Sequence, residues 1–192
     1  MKHTDRVVLE LPAWMRRFLQ DWMHPLVTVE QRMALAVALS SENVAQGSGG
    51  PFGAIIVRES DSMLLGAGVN TVTRSGISLA HAEMVAISMA QANLGGWNLG
   101  AAGAVQLVTS CEPCAMCFGA VPWSGVQGLA WGARREDAEA AGFDEGYKPE
   151  DWREALQRRG IETRGDVLRA QAAAVLEHYA HSGGTIYHPE SP

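Results

Sequence analysis

His81-Ala82-Glu83 and Pro113-Cys114-Ala115-Met116-Cys117 are the two stretches from which the rest of this 192-residue sequence can be read. One neutral imidazole and two thiolates supply three protein ligands to a tetrahedral Zn²⁺ and leave the fourth position to water, the arrangement of a catalytic site. His81, Cys114 and Cys117 are therefore the expected metal ligands. Glu83 is then expected to carry protons and not to bind the metal.

Helix periodicity constrains how these residues meet. Cys114 and Cys117 are spaced to share one helical face, so both thiols can grip one ion. Pro113 suits the first helical position, where its missing N–H costs nothing, and Ser110 or Glu112 could cap that end. A helix N-terminus also favours the thiolate that metals bind. His81 and Glu83 would point to nearly opposite sides of a long helix, so they can serve one pocket only from its first turn. Two helix N-termini are thus expected to converge on the metal.

Blander readings exist for each part. A lone C-x-x-C could be a redox pair, and a lone His or Glu is usually solvated or structural. The ordered combination favours zinc. A zinc-stabilised binding or scaffold protein without turnover is the non-enzyme alternative, and Glu83, which metal binding alone does not need, argues against it.

The length suits one compact domain with a sizeable core. A formal charge of -6, with no basic cluster larger than pairs such as Arg16-Arg17, offers no footprint for a phosphate backbone, so no nucleic-acid partner is expected. Of three cysteines, two are committed to the metal and Cys111 is expected to be a small buried residue beside the site. A reducing cytoplasm fits this usage. Charges at Asp5, Glu10, Arg16 and Arg17 interrupt the N-terminal apolar stretch, so neither a signal peptide nor a membrane span of about 20 residues is expected.

Along the chain, residues 1–27 read as an N-terminal extension holding a short amphipathic helix, with the catalytic domain running over 28–192. Thr28 should cap a helix to about Gln46, ended by Gly47-Ser48-Gly49-Gly50-Pro51. Phe52 to Arg58 and Met63 to Val69 read as strands, Asn70 to Gly76 as a loop, and the His81 helix runs to about Asn93. A buried strand from Val105 to Thr109, the cysteine helix, a strand from Gly128 to Ala133 and a helix from Arg134 to Ala141 follow. Beyond these come a helix from Pro149 to Arg159, a strand near Ile161 to Thr163, and a helix from Asp166 to about His178. The alternation predicts an α/β fold with a mixed central sheet between helices.

H-x-E followed by P-C-x-x-C resembles the cytidine-deaminase-like zinc superfamily. Pro51-Phe52-Gly53-Ala54, Gly68-Val69-Asn70 and Thr109 to Cys117 are similar to the bacterial guanine deaminases within it, and Ala141-Gly142-Phe143-Asp144-Glu145-Gly146 resembles the segment in which purine-base deaminases carry a catalytic acid. The resemblance implies a three-layer α-β-α fold, usually a homodimer, with C-terminal elements closing over the site. It also implies catalytic roles for Glu83 and Glu145, and substrate contacts from Phe52 and Trp123 on the ring, Asn70 on its edge and the backbone near Ala82. The expected reaction is hydrolytic deamination of guanine to xanthine and ammonia. A triazine deaminase of the ammeline type and a tRNA or nucleoside adenosine deaminase remain alternatives.

Overall fold

A computed structural model of the chain describes residues 4–188. Strands β1 (Gly53–Arg58), β2 (Met63–Val69), β3 (Val105–Cys111), β4 (Gly128–Ala133) and β5 (Glu162–Arg164) form one sheet in the order β2-β1-β3-β4-β5. β1 runs antiparallel to β2 and β3, whereas β3, β4 and β5 are parallel. The parallel pairs require crossovers, and helices provide them.

Those helices are α1 (Ala13–Asp21), α2 (Val29–Ala45), α3 (Val72–Ser75), α4 (Ala82–Leu94), α5 (Ala115–Ser124), α6 (Arg135–Ala140), α7 (Trp152–Gln157) and α8 (Arg169–His181), with a 3-10 turn at Leu99–Ala102. The two-residue period of a strand sorts the core into two layers. Ile55, Val57, Val108 and Ala130 face α2, while Ala54, Ile56, Leu107, Leu129 and Trp131 face α4 and α7. Helices on both faces of a mixed sheet make the expected three-layer architecture. No helix of the described residues is long and apolar enough to cross a membrane.

Several boundaries differ from the sequence reading, each for a local reason. α3 interrupts the expected loop at 70–76, because Asn70 Oδ1 accepts the Val72 N–H and starts one helical turn, which Gly76 then ends in the left-handed region. α8 begins at Arg169 and not at Asp166, since Asp166 and Leu168 both have positive φ. The helix expected from Pro149 begins at Trp152. Helix α1 lies on α2, with Met15 fully buried beside Met33 and Leu35.

Two glycines set how closely α4 approaches the sheet. A Cβ at Gly68 would collide with the Ala82 carbonyl and the Ala86 amide, and one at Gly66 would come within 2.6 Å of the Ala86 carbonyl and the Ala90 amide. The first turn of α4 carries His81 and Glu83, so these glycines position the site. Gly68→Ala is expected to destabilise the fold by about 1–3 kcal/mol through overpacking and to lower zinc affinity. Urea unfolding with a chelator competition titration checks this, and parental values in both would contradict it.

Candidate active site

His81 is the N-cap of α4 and Glu83 lies in its first turn, so both face one space from the helix end, as their spacing required. Cys114 is the N-cap of α5 and Cys117 lies within its first turn. The expected capping pattern needs correction here. Pro113 precedes the N-cap and is not the first helical residue, because the chain stays extended through Cys114 at ψ 172. Neither Ser110 nor Glu112 caps α5. The Ser110 hydroxyl accepts the Gly53 N–H, and Glu112 pairs with Lys148.

The ligand atoms of His81, Cys114 and Cys117 all lie within 4.8 Å of one another. His81 Nδ1 stands 3.5 Å from Cys114 Sγ and 3.6 Å from Cys117 Sγ. Zinc bond lengths of about 2.0 Å to nitrogen and about 2.3 Å to sulfur give a tetrahedral N–S edge of about 3.5 Å. The three side chains therefore already have the spacing of a zinc site. Nδ1 faces the sulfurs, which leaves His81 Nε2 to donate to the Tyr187 hydroxyl at 3.0 Å. Such an outer partner holds a metal-binding imidazole in the correct tautomer.

Electrostatics follow from this crowding. Cys117, His81 and the α5 N-terminus hold the Cys114 thiol down to about 4, with burial opposing them. Hydrogen bonding to Cys114 and burial push the Cys117 thiol well up. The pair thus shares one proton, which a bound metal would release. Glu83 Oε2 lies 3.4 Å from Cys117 Sγ, and burial raises this carboxyl above its usual range. Burial, then the Cys114 thiolate and Glu83, raise Glu145 to about 8, with Lys148 and His81 pulling it back.

A cavity of about 390 Å³ opens beside the cluster, with Phe52, Asn70, Phe143, Glu145 and Tyr187 in its wall. Phe52 and Phe143 meet edge to face at 4.8 Å. Asn70 is fully buried, and its Nδ2 donates to the Tyr187 hydroxyl at 2.9 Å. Ala82 is buried at the start of α4, where first-turn amides lack helical acceptors. Trp123 is not brought to this cavity: it sits near the C-terminal end of α5 with 78% exposure. Cys111 is buried near the site, its Sγ against the Arg134 carbonyl.

Lys148 escaped the sequence reading, which took Glu112 only as a possible helix cap. Both are buried, and Lys148 Nζ donates to Glu112 Oε1 at 2.5 Å and to the Pro113 carbonyl at 2.6 Å. The Ala115 N–H also donates to the Glu145 carbonyl at 2.9 Å. Together these contacts tie the Glu145 loop to the start of the cysteine helix. Tyr187 was equally invisible, because its partners lie more than a hundred residues away in sequence. The one sequence clue was Glu112 immediately before the proline, a charge that needed a partner.

A mixed five-stranded sheet with an imidazole and two thiols gathered at two helix N-termini defines a zinc-dependent hydrolase of the deaminase type. Residues 27–133 match the family described as the cytidine and deoxycytidylate deaminase zinc-binding region, and the chain belongs to that family. It is 44% identical over 112 residues to the guanine deaminase of Bacillus subtilis, covering 58% of this chain and 69% of that one. A tRNA-specific adenosine deaminase of Streptococcus pyogenes serotype M1 is 31% identical over 160 residues, covering 83% of this chain and 88% of the relative. The solved guanine deaminase of Nitrosomonas europaea superposes with a TM-score of 0.87 at 41% identity, covering 94% of this chain and all of that one. A further crystal structure, in complex with 2,6-diaminopurine, gives a TM-score of 0.88 at 42% identity over 97% of this chain and 99% of that one.

Lys148→Ala would leave the Glu112 carboxylate buried, with only the half-exposed Arg153 at 3.7 Å as a partner. Loss of about 3 kcal/mol in urea unfolding is expected, as for a broken buried ion pair. An unchanged midpoint would show that the pair holds nothing in place.

Proposed function

We propose that the protein deaminates guanine hydrolytically to xanthine and ammonia. The observation that carries this reading is that the metal-binding cluster of His81, Cys114 and Cys117 opens through His81 and Cys114 on a cavity that the buried carboxyls of Glu83 and Glu145 also line. Likeness to two guanine deaminases and to a protein crystallised with 2,6-diaminopurine supports a purine base as substrate. A zinc ion held by His81, Cys114 and Cys117 would acidify water, lowering its pKa to about 7.

The chain's own residues do the remainder. Glu83 takes the proton that the attacking water loses as its oxygen bonds to C2, and passes it to a ring nitrogen. Glu145, raised to about 8 and so able to hold a proton at neutral pH, supplies one to the departing amine. The C2–N bond then breaks and ammonia leaves, while the C2 hydroxyl becomes a carbonyl and its proton restores Glu145. Phe52 covers one face of the purine, the Asn70 amide donates to its edge, and the Ala82 backbone holds a ring carbonyl. Phe143, in edge contact with Phe52, takes the second aromatic place that Trp123 does not reach.

Adenosine in a tRNA is the disfavoured reading, although one relative carries that name. Tyr187 and His188 of the C-terminal segment wall the cavity, whose volume of about 390 Å³ suits a free base. We also infer a homodimer. Helix α5 is apolar on its outward side as well, with Met116, Ala120 and Trp123 partly or fully exposed, and a helix hydrophobic all round belongs in an interface. The unpaired Cys111, Cys114 and Cys117 are in keeping with a reducing cytoplasm as the compartment in which the enzyme works.

Ammonia release from guanine, ammeline, cytidine and adenosine-containing tRNA is the test. Guanine should turn over fastest; preference for any of the others would reassign the substrate. Glu83→Gln should keep its zinc and lose about 10²-fold or more in kcat, while Glu145→Gln loses less, and parental turnover in either would remove that acid from the mechanism. Trp123→Asp should convert the dimer to monomer in sedimentation velocity, and a monomeric parent would refute the interface.

A further inference from the structure

Among the described residues, 4–27 hold none of this chemistry, yet a continuous run of hydrogen bonds joins their helix to the wall of the cavity. Trp14 Nε1 donates to the Ser48 hydroxyl at 2.9 Å, and that hydroxyl donates to Asn43 Oδ1 at 2.9 Å. Asn43 Nδ2 then donates both to the Gly50 carbonyl at 2.8 Å and to the Asn70 carbonyl at 2.9 Å. Asn43 and Asn70 are completely buried. Buried amides held this way have little freedom, because every broken bond leaves an unpaired polar group.

Asn70 is held at each remaining point. Its N–H donates to the Phe52 carbonyl, and its Oδ1 accepts from the Val72 N–H. The side-chain oxygen is therefore committed, and the amide can present only Nδ2 toward Tyr187 and the cavity. The turn at Gly49 has no slack against Asn70, since a Cβ there would overlap the Asn70 carbonyl oxygen.

Trp14 has a specific part in this run. The single Ser48 hydroxyl proton has two acceptors within reach on Asn43, Oδ1 at 2.9 Å and the backbone carbonyl at 3.4 Å. An indole N–H donating into the Ser48 oxygen occupies a lone pair and favours the rotor that points at Oδ1. That contact orients the Asn43 amide so that its two N–H groups face the Gly50 and Asn70 carbonyls. The same N-terminal segment reaches Asn70 from a second side, where Leu9 and Leu11 pack on Val72, Ala80 and Val85 together with Tyr187.

We propose that the N-terminal segment is a positioning element for substrate recognition, in which Trp14, acting through Ser48 and Asn43, holds the Asn70 amide with its N–H toward an acceptor on the purine edge. This rests on the reading of Asn70 as a substrate contact. Trp14 touches neither substrate nor metal ligands, and α1 keeps its anchor at the fully buried Met15 when the indole N–H is removed.

Steady-state kinetics on guanine with the zinc-loaded full chain tests the relay. Trp14→Phe and Ser48→Ala should each raise KM about 3-fold to 10-fold, the worth of one hydrogen bond, with kcat, zinc content and Tm close to parental. The double variant should be no worse than Ser48→Ala alone, because both changes break one connection. Asn70→Ala serves as the reference and should raise KM at least as much. A KM rise in Asn70→Ala with parental KM in both relay variants overturns the relay alone. Parental KM in Asn70→Ala overturns the substrate reading, and this proposal with it. A loss confined to kcat that follows zinc content or Tm would mark Trp14 as purely structural.

Discussion

Three ligand atoms from two separate helices must stay within 4.8 Å of one another, and much of the architecture serves that closeness. His81 and Cys114 are both N-caps, so the metal-binding atoms sit where backbone dipoles concentrate positive potential and stabilise a thiolate. The sheet delivers both caps to the same place. β2 ends beside the start of α4, where Gly66 and Gly68 let strand and helix approach closely, and β3 runs on to Cys111 before the turn into α5. Displacing either helix by an ångström would open the N–S edges beyond zinc bonding distance.

A second constraint is that the surrounding polar groups are buried and must be paired. Lys148 answers Glu112 and the Pro113 carbonyl, the Glu145 carbonyl receives the Ala115 N–H, and Tyr187 receives both His81 and Asn70. Each bond joins a different part of the chain to the rim of the metal cluster. The cavity is therefore walled by side chains whose orientations are set from behind, which is what differential binding of a transition state requires. Glu83 and Glu145 stand in this same low-dielectric space, and burial moves both carboxyls toward proton exchange at neutral pH.

The sequence made the succession of strands and helices along the chain and the metal centre legible because both depend on short-range patterns. The runs at 63–69 and 128–133 became strands at the expected limits, and the spacing of His81 and Glu83 demanded an end-on helix, which the structure has. Local patterns failed where long-range partners decide. Pro113 gave the signal of a first helical residue, yet the Lys148 contact to its carbonyl accompanies an extended entry into α5. Trp123 resembled a substrate contact in sequence but lies outside the cavity wall, since it sits about two turns further along α5 than Met116, which lines it. Nothing near Trp14 in sequence reveals that Ser48, 34 residues on, is its partner.

The account rests on one catalytic metal per chain, bound by His81, Cys114 and Cys117. Metal content measured by elemental analysis alongside guanine turnover, before and after chelator dialysis and again after zinc is restored, tests it most directly. About one zinc per chain is predicted from these three ligands, with turnover that disappears on dialysis and returns with the metal. Full guanine turnover by protein shown to be free of metal would contradict it.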